Sequence, residues 1–542
     1  MNLQQESSPA IPVAAFLVTS GTLRAIGGAA AYVVLGALTL SPLLWAAIPP
    51  LVDYPNHLAR MSVLLHSGDG SAVTTNYVAD WRLLPNLAMD LIVPALARFI
   101  PLEVAGRLFI AATMVQLLAG TAALHRVLHG RIGFWPLTAF LFLYNAVLWL
   151  GFVNYLFGLG LSLLAFSLWI GTQHWPMARR LIVFAPIACL LFVMHLFAFG
   201  VYGLLVGSYE AGKIADRRWL PADLLDGAKT LLQFGPAGVL WLVSSGGTQI
   251  TAYGGLRARI FALFAPAMFD YAPSMLDALI LLFPLVLIPA ALGAGALKLS
   301  SAMRWPVIAM LLVAIVMPEF LNGSWGAQIR LPVALVFVVI ASTQPAALRR
   351  ATVTLFVCAT LLLLGTRIWS VTQSWREMDG KFAELRAALD TIPEGVRLLA
   401  VQSPMNAEAA HFRGVSAWIA TQTSANYDHI ASLAVLDRGA FTADLFTGWY
   451  PVEASSRNAG MPNMLYPTLT PEELIARAHA DPPTGKLAPR DILGELPCCF
   501  NWSQTFDFAL WIDFGQTPQT LLPELQPWAS GSFFHIYKIK RS

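Results

Sequence analysis

Long apolar runs recur from residue 26 to residue 368, and the chain then turns polar for its remaining residues. The run 26–48 is long enough to cross a bilayer core of about 30 Å at about 1.5 Å per residue. Its length, with no small-residue cleavage site, predicts a retained span rather than a removed signal. Further spans are predicted at 104–124, 134–150, 152–170, 231–243, 275–297, 305–317, 331–346 and 351–368. The run 181–207 is too long for one upright helix and holds His195 at its centre, in VMHLFAFG. It is one tilted span or two short ones. With two, and the N-terminus inside, the short cytoplasmic loops hold Arg126, Arg131, Arg179, Arg180, Lys213, Arg217, Arg218, Lys229, Lys298, Arg304, Arg349 and Arg350. With one, every later loop is reversed, so the broken run is the reading adopted. The stretch WRLLPNLAMDLIVPALARFI (81–100) then stays on the outer side as an interfacial or re-entrant helix, because Pro85, Asp90, Pro94 and Arg98 suit lipid poorly. About eleven crossings result.

The tail follows a different rhythm. SWREMDGKFAELRAAL has helical spacing, GVRLLAVQS reads as a buried strand, and FDFALWIDF and FFHIYKIK read as strands with a helical LLPELQPWA between them. The fold class expected is therefore a polytopic α-helical membrane protein with a small C-terminal α/β extracytoplasmic domain. The division is 1–371 for the multi-span part and 372–542 for the tail, whose Asp428 and His429 read as surface groups. Composition agrees: 57% hydrophobic and 12% charged residues cannot cover a water-soluble surface. A net charge of +3 offers no basic stripe, so nucleic acid is excluded as a partner. P-loop, HExxH and CxxC motifs are absent, which removes support for nucleotide hydrolysis and structural zinc. Of four cysteines, Cys189 and Cys358 fall in apolar spans, and the adjacent Cys498 and Cys499 establish no disulfide framework.

Chemistry gathers in LVDYPNHLARM (51–61), just past the first run. Pro49 and Pro50 end that run and Pro55 suits the first turn of a new helix, so Asp53 falls at a helix start with His57 and Arg60 in the turns that follow. One reading is a capping Asp favoured by the helix dipole. The other is a carboxylate held at the outer membrane surface beside cationic groups. A second polar break, PEFLNGSWGAQIRLP (318–332), falls on the same side and offers Glu319, Asn322, Trp325, Gln328 and Arg330: a carboxylate, two amides, an aromatic face and a guanidinium. It reads equally as an interfacial loop anchored by Trp and Arg. Asp90, Asn154 and His195 also fall on the outer side. Asp90 binds an acceptor, supports Asp53, or simply pairs with Arg82 or Arg98. A lone imidazole such as His195 more often satisfies backbone groups at a broken helix than it binds a ligand.

This layout, with an acid after the first span, interfacial helices in the first outer loop, many spans and a polar tail, resembles the GT-C superfamily of membrane glycosyltransferases over nearly the whole chain. Asp53 in LVDYPNH occupies the position of the family acid. The resemblance implies transfer of a sugar from a polyprenyl-phosphate donor to a lipid, glycan or protein acceptor at the outer, periplasmic face of the bacterial cytoplasmic membrane. Asp53 is then the general base, and His57, Arg60, Asp90, Asn154, His195, Glu319, Trp325 and Arg330 bind substrate. A departing lipid phosphate needs fixed positive charge, for which Arg60, His57 and Arg330 are the candidates. Many members carry paired acids where Tyr54 follows Asp53 here; that departure leaves the cofactor unknown, with a divalent metal open though not indicated by the sequence. A transporter or flippase, and a non-catalytic envelope assembly protein, are the alternatives.

Overall fold

Apolar periodicity is realised as a mostly helical body. The computed structural model describes residues 20–216, 221–244, 251–269, 274–322, 324–346, 349–403, 427–448, 450–459, 461, 469–480, 499–514 and 522–541; Cys498 lies outside them. Among the described residues, five helices are long and apolar enough to cross a membrane: Leu102–His129, Val153–Gly171, Met177–Met194, Met275–Gly293 and Arg350–Leu389. Shorter apolar helices, including Ala88–Ala97 and Ala327–Ser342, pack among them.

Three segments depart from simple spans for local reasons. His195 is extended (φ −168°, ψ 122°) between helices Met177–Met194 and Leu196–Asp216, and its Nδ1 accepts the Phe197 N–H at 3.1 Å. The imidazole thus satisfies a donor freed by the break. The expected span 134–150 is not one α-helix. It is a 3-10 turn, Trp135–Phe142, followed by a short helix, Ala146–Trp149. Between them Asn145 is extended; its amide donates to the Phe142 carbonyl at 2.8 Å and accepts the Leu148 N–H at 3.0 Å, a local alternative to helical bonding. In contrast, the last apolar run and the polar helical stretch after it form a single helix of 40 residues, Arg350–Leu389, in which residue 371 is an interior position.

Beyond that helix lies a mixed five-stranded sheet in the order Leu525–Ser530, Phe534–Ile539, Phe508–Ile512, Arg397–Gln402, Phe441–Thr442. Arg397–Gln402 runs parallel to both its neighbours, and the other pairs are antiparallel. Where LLPELQPWA was expected to be helical, Leu525–Ser530 is therefore strand. Pro523 and Pro527 each remove a helical N–H, and the stretch pairs with Phe534–Ile539 through an irregularity at Pro527–Ala529.

The sheet-bearing tail is stitched to the first long loop. Tyr77–Ala79 pairs antiparallel with Val452–Ala454. The Asn76 amide donates to the Gly395 and Gly439 carbonyls, and the Tyr77 hydroxyl donates to Thr442 O at 2.9 Å. Gly439 turns at φ +58°, where a Cβ would stand 2.4 Å from Val73 N, so only glycine permits the approach. This seam carries tail residues 427–448 onto the start of helix Tyr54–Leu65.

Candidate functional site

Asp53 precedes helix Tyr54–Leu65 with φ −82° and ψ −7°, and its side chain makes no capping hydrogen bond. The dipole-cap explanation therefore lacks its bond. Backbone bonds set the residue in place instead: Val52 N–H donates to Trp149 O at 2.9 Å and Asp53 N–H to Leu150 O at 3.1 Å. Gly151, at φ +87°, lies so close that a Cβ there would stand 2.9 Å from both Asp53 Cβ and Asp53 N. The carboxylate is left half-buried, with Oδ1 3.5 Å from His429 Nε2. Burial first, then the neighbouring Asp428, push its pKa up to about 8, while Arg330 and Arg60 pull the other way. Asp428 is itself raised to about 7 by burial. His429 is lowered to about 4 by burial and is neutral.

Arg60 faces Asp90, with both side chains fully buried. Its Nε donates to Asp90 Oδ1 at 2.7 Å, its Nη2 to Oδ2 at 3.2 Å, and its Nη1 to His57 Nδ1 at 3.0 Å. The guanidinium plane packs 3.8 Å from the Tyr450 ring centroid. Asp90 is thus paired with Arg60 rather than with Arg82 or Arg98; Arg82 bridges Asp80 and Glu453. Since Arg60 donates from all three of its nitrogens and holds its carboxylate bidentately, it is spent within the protein. His57 is held neutral, its pKa driven well below the usual imidazole range by burial and by Arg60, and a backbone hydrogen bond to Gly151 opposes that shift. Neither residue offers a free positive charge to a leaving phosphate.

Arg330 differs. It lies in the first turn of helix Ala327–Ser342, between the rings of Phe197 (4.4 Å to the centroid) and Phe152 (4.7 Å). Its Nη1 donates to Ser324 Oγ at 3.0 Å, its Nε is buried without a partner, and no ion pair holds it among the described residues. Phe152, which the guanidinium covers, follows Gly151, the residue that abuts Asp53, and, against burial, Arg330 lowers the pKa of both Asp53 and Tyr450. Next to it, Phe320–Leu321 and Ser324–Trp325 form a hairpin in which Trp325 Nε1 donates to Glu319 Oε1 at 3.0 Å. Gln328 is buried with neither amide atom hydrogen-bonded.

Asn154 is consumed elsewhere: it accepts the Met89 N–H at 2.9 Å and donates to both oxygens of Asn86, tying helix Val153–Gly171 to the start of Ala88–Ala97. His195 packs edge-on against Tyr155, which flanks Arg330, while its Nδ1 serves Phe197. The structure thus sets Asp53 against Gly151, Arg330 against the adjoining Phe152, and Tyr450 over Arg60. It uses Arg60, His57, Asp90 and Asn154 to hold the surrounding backbone.

Tail residues that sequence patterning assigned to the surface belong to this site. His429 is buried, as is Asn56, whose Oδ1 accepts the Phe446 N–H at 2.8 Å while its Nδ2 donates to Asp444 O at 2.5 Å. The only signals for them were an acid–imidazole pair, Asp428–His429, beside the apolar run IASLAVL, and an amide one turn ahead of Arg60. Among the described residues no group of three or more His, Cys, Asp or Glu side chains is placed to hold a metal ion.

No family model matches the chain, and no curated protein matches it. Among solved structures it is similar to ArnT from Cupriavidus metallidurans. The apo form has 13% identity and a TM-score of 0.42, and the form bound to undecaprenyl phosphate has 15% identity and a TM-score of 0.39. Each comparison covers 96% of this chain and 98% of that one.

Proposed function

We propose that the Asp53 site is the active site of a membrane glycosyltransferase that moves a sugar from a polyprenyl-phosphate donor to a lipid, glycan or protein acceptor. One observation carries this reading: Asp53, whose side chain makes no capping bond, and Arg330, which has no ion pair among the described residues, meet the same Gly151–Phe152 turn at the seam between helices and tail. In the reaction, the acceptor hydroxyl oxygen bonds to the anomeric carbon as the bond from that carbon to the phosphate oxygen breaks. The hydroxyl proton passes to Asp53, and the negative charge left on the lipid phosphate is met by Arg330. A carboxyl poised near 8 is better matched to that proton transfer at neutral pH than an ordinary Asp. Trp325 and Glu319 offer an aromatic face and a carboxylate to the sugar. The reading puts the multi-span part at 1–371 in the cytoplasmic membrane with the N-terminus inside, and the domain 372–542 outside with the site.

The test is Asp53→Asn, assayed for sugar transfer from a panel of undecaprenyl-phosphate-linked sugars, with thermal stability measured on the same preparation. Asn keeps the shape but cannot take the proton. Turnover should fall by roughly 100-fold or more while binding of undecaprenyl phosphate changes little. A stable variant with full transfer activity removes Asp53 from catalysis.

A further inference from the structure

One buried imidazole of the tail has a fixed orientation that the proposed chemistry has not yet used. Asn56 Oδ1 accepts the Phe446 N–H, which fixes which end of the amide is oxygen and leaves Nδ2 as the donor at its other end. There it donates to Asp444 O at 2.5 Å and lies 3.4 Å from His429 Nδ1. An N–H facing Nδ1 requires that nitrogen to carry the lone pair. The ring proton of neutral His429 therefore sits on Nε2, the atom 3.5 Å from Asp53 Oδ1. Phe446 closes against the ring with a centroid separation of 4.8 Å in an edge-on arrangement, which restricts its rotation.

We infer that His429, contributed by the tail and locked in its Nε2–H form by Asn56, is a positioning residue that holds Asp53 Oδ1 and leaves Oδ2 to face the acceptor hydroxyl. This rests on the reading of Asp53 as the base. It gives the tail a chemical role: docking of residues 427–446 on helix Tyr54–Leu65 completes the site. His429 does not relay the proton onward, because its second nitrogen is occupied by Asn56.

A donor at Oδ1 favours the ionised carboxylate, so its loss is readable without any sugar substrate. The other groups acting on Asp53 are Asp428 from the tail, Arg60 from its own helix, Arg330 from helix Ala327–Ser342, and Tyr450. All are kept in the variants. In the full-length protein in detergent, Asp53 protonation is followed by its carboxylic-acid C=O infrared band, identified by its disappearance in Asp53→Asn. His429→Ala should move the titration up by about one pH unit, the order expected from removing an N–H that faces the charged form of the carboxyl across 3.5 Å. His429→Gln, whose amide N–H reaches about as far as Nε2, should bring it back. An unmoved titration in His429→Ala overturns the inference. Should His429→Ala fail to fold, the wild-type protein decides: nitrogen-15 shifts of its histidines, assigned by loss of one signal in His429→Gln, should show His429 protonated at Nε2, and a proton on Nδ1 overturns the inference. Failure of either measurement leaves Asp53 as a candidate base. Absence of sugar transfer in every assay leaves the Asp53–His429 coupling intact.

Discussion

Arg60 and Asp90 are joined by two N–H···O bonds, at 2.7 and 3.2 Å, with neither side chain exposed. The pair bridges helices Tyr54–Leu65 and Ala88–Ala97 and so ties the second to the helix that Asp53 precedes. Removing one member leaves a buried, uncompensated charge. Asp90→Ala should therefore cost about 3–5 kcal/mol, whereas replacing both by apolar residues of similar volume should cost far less. Chemical denaturation of the two variants side by side checks this. Equal losses would mean that the pair is hydrated and weak.

Gly151 sets the position of Asp53 from the opposite side. Alanine there must adopt φ +87° and must push against Asp53 Cβ and N, both 2.9 Å from the new methyl. The backbone term costs about 1 kcal/mol. The displacement matters more, since moving a catalytic group by about 1 Å costs roughly 100-fold. Gly151→Ala should thus lose transfer activity out of proportion to its change in melting temperature. Activity and stability falling together by small amounts would show that Asp53 tolerates the shift.

The stretch LVDYPNHLARM was legible because its chemistry is local: prolines bound the helix, and an acid at its start is visible within eleven residues. Arg330 was legible for the same reason, as the cation of a polar break between apolar runs. Pairing was not legible. Asp90 and Arg60 are thirty residues apart and Arg82 and Arg98 are nearer in sequence, yet helix packing selects Arg60. His429 was hidden more deeply, because its burial depends on strand Tyr77–Ala79 finding Val452–Ala454 across the chain. LLPELQPWA misled by composition: Leu and Glu favour helix, and the two prolines decide against it. His195 shows the converse, since the charge of later loops revealed a break that the apolar pattern alone concealed.

Asp53 and Asp428 make transfer pH-dependent in a definite direction. With Asp53 raised to about 8, the base form grows as pH rises, so turnover should climb about tenfold per unit below that value and level above it. Asp428, at about 7, contributes through its charge: Asp428→Asn should move the rise to lower pH. Stability runs the other way. A carboxyl whose folded pKa lies above its ordinary 3.8 lends stability that is fully present below 3.8 and is lost as pH rises through about 8. Asp53→Asn removes that loss, so its melting temperature should gain on the wild type between pH 5 and pH 9. A constant difference across that range would mean that Asp53 ionises as it does in the unfolded chain.

Arg330 is where the donor side of the proposal stands or falls. Its guanidinium is held between the rings of Phe152 and Phe197, and Nη1 is steadied by Ser324. A cation kept in place by aromatic faces, with no ion pair among the described residues, is available to an incoming anion. A lipid phosphate presents several oxygens, of which Arg can take two at once and Lys only one. Arg330→Ala should therefore weaken both undecaprenyl phosphate binding and donor use by roughly 10- to 100-fold, the scale of a lost charged hydrogen bond. Arg330→Lys should fall between the variant and the wild type, because it keeps the charge but neither the fork nor the stacking plane. Binding is read by thermal shift with undecaprenyl phosphate and donor use by the KM for the lipid-linked sugar. The two measurements separate a phosphate contact from a purely structural one: a structural arginine lowers the melting temperature without changing the shift that the lipid produces. Undiminished lipid binding and turnover in both variants would remove Arg330 from the site.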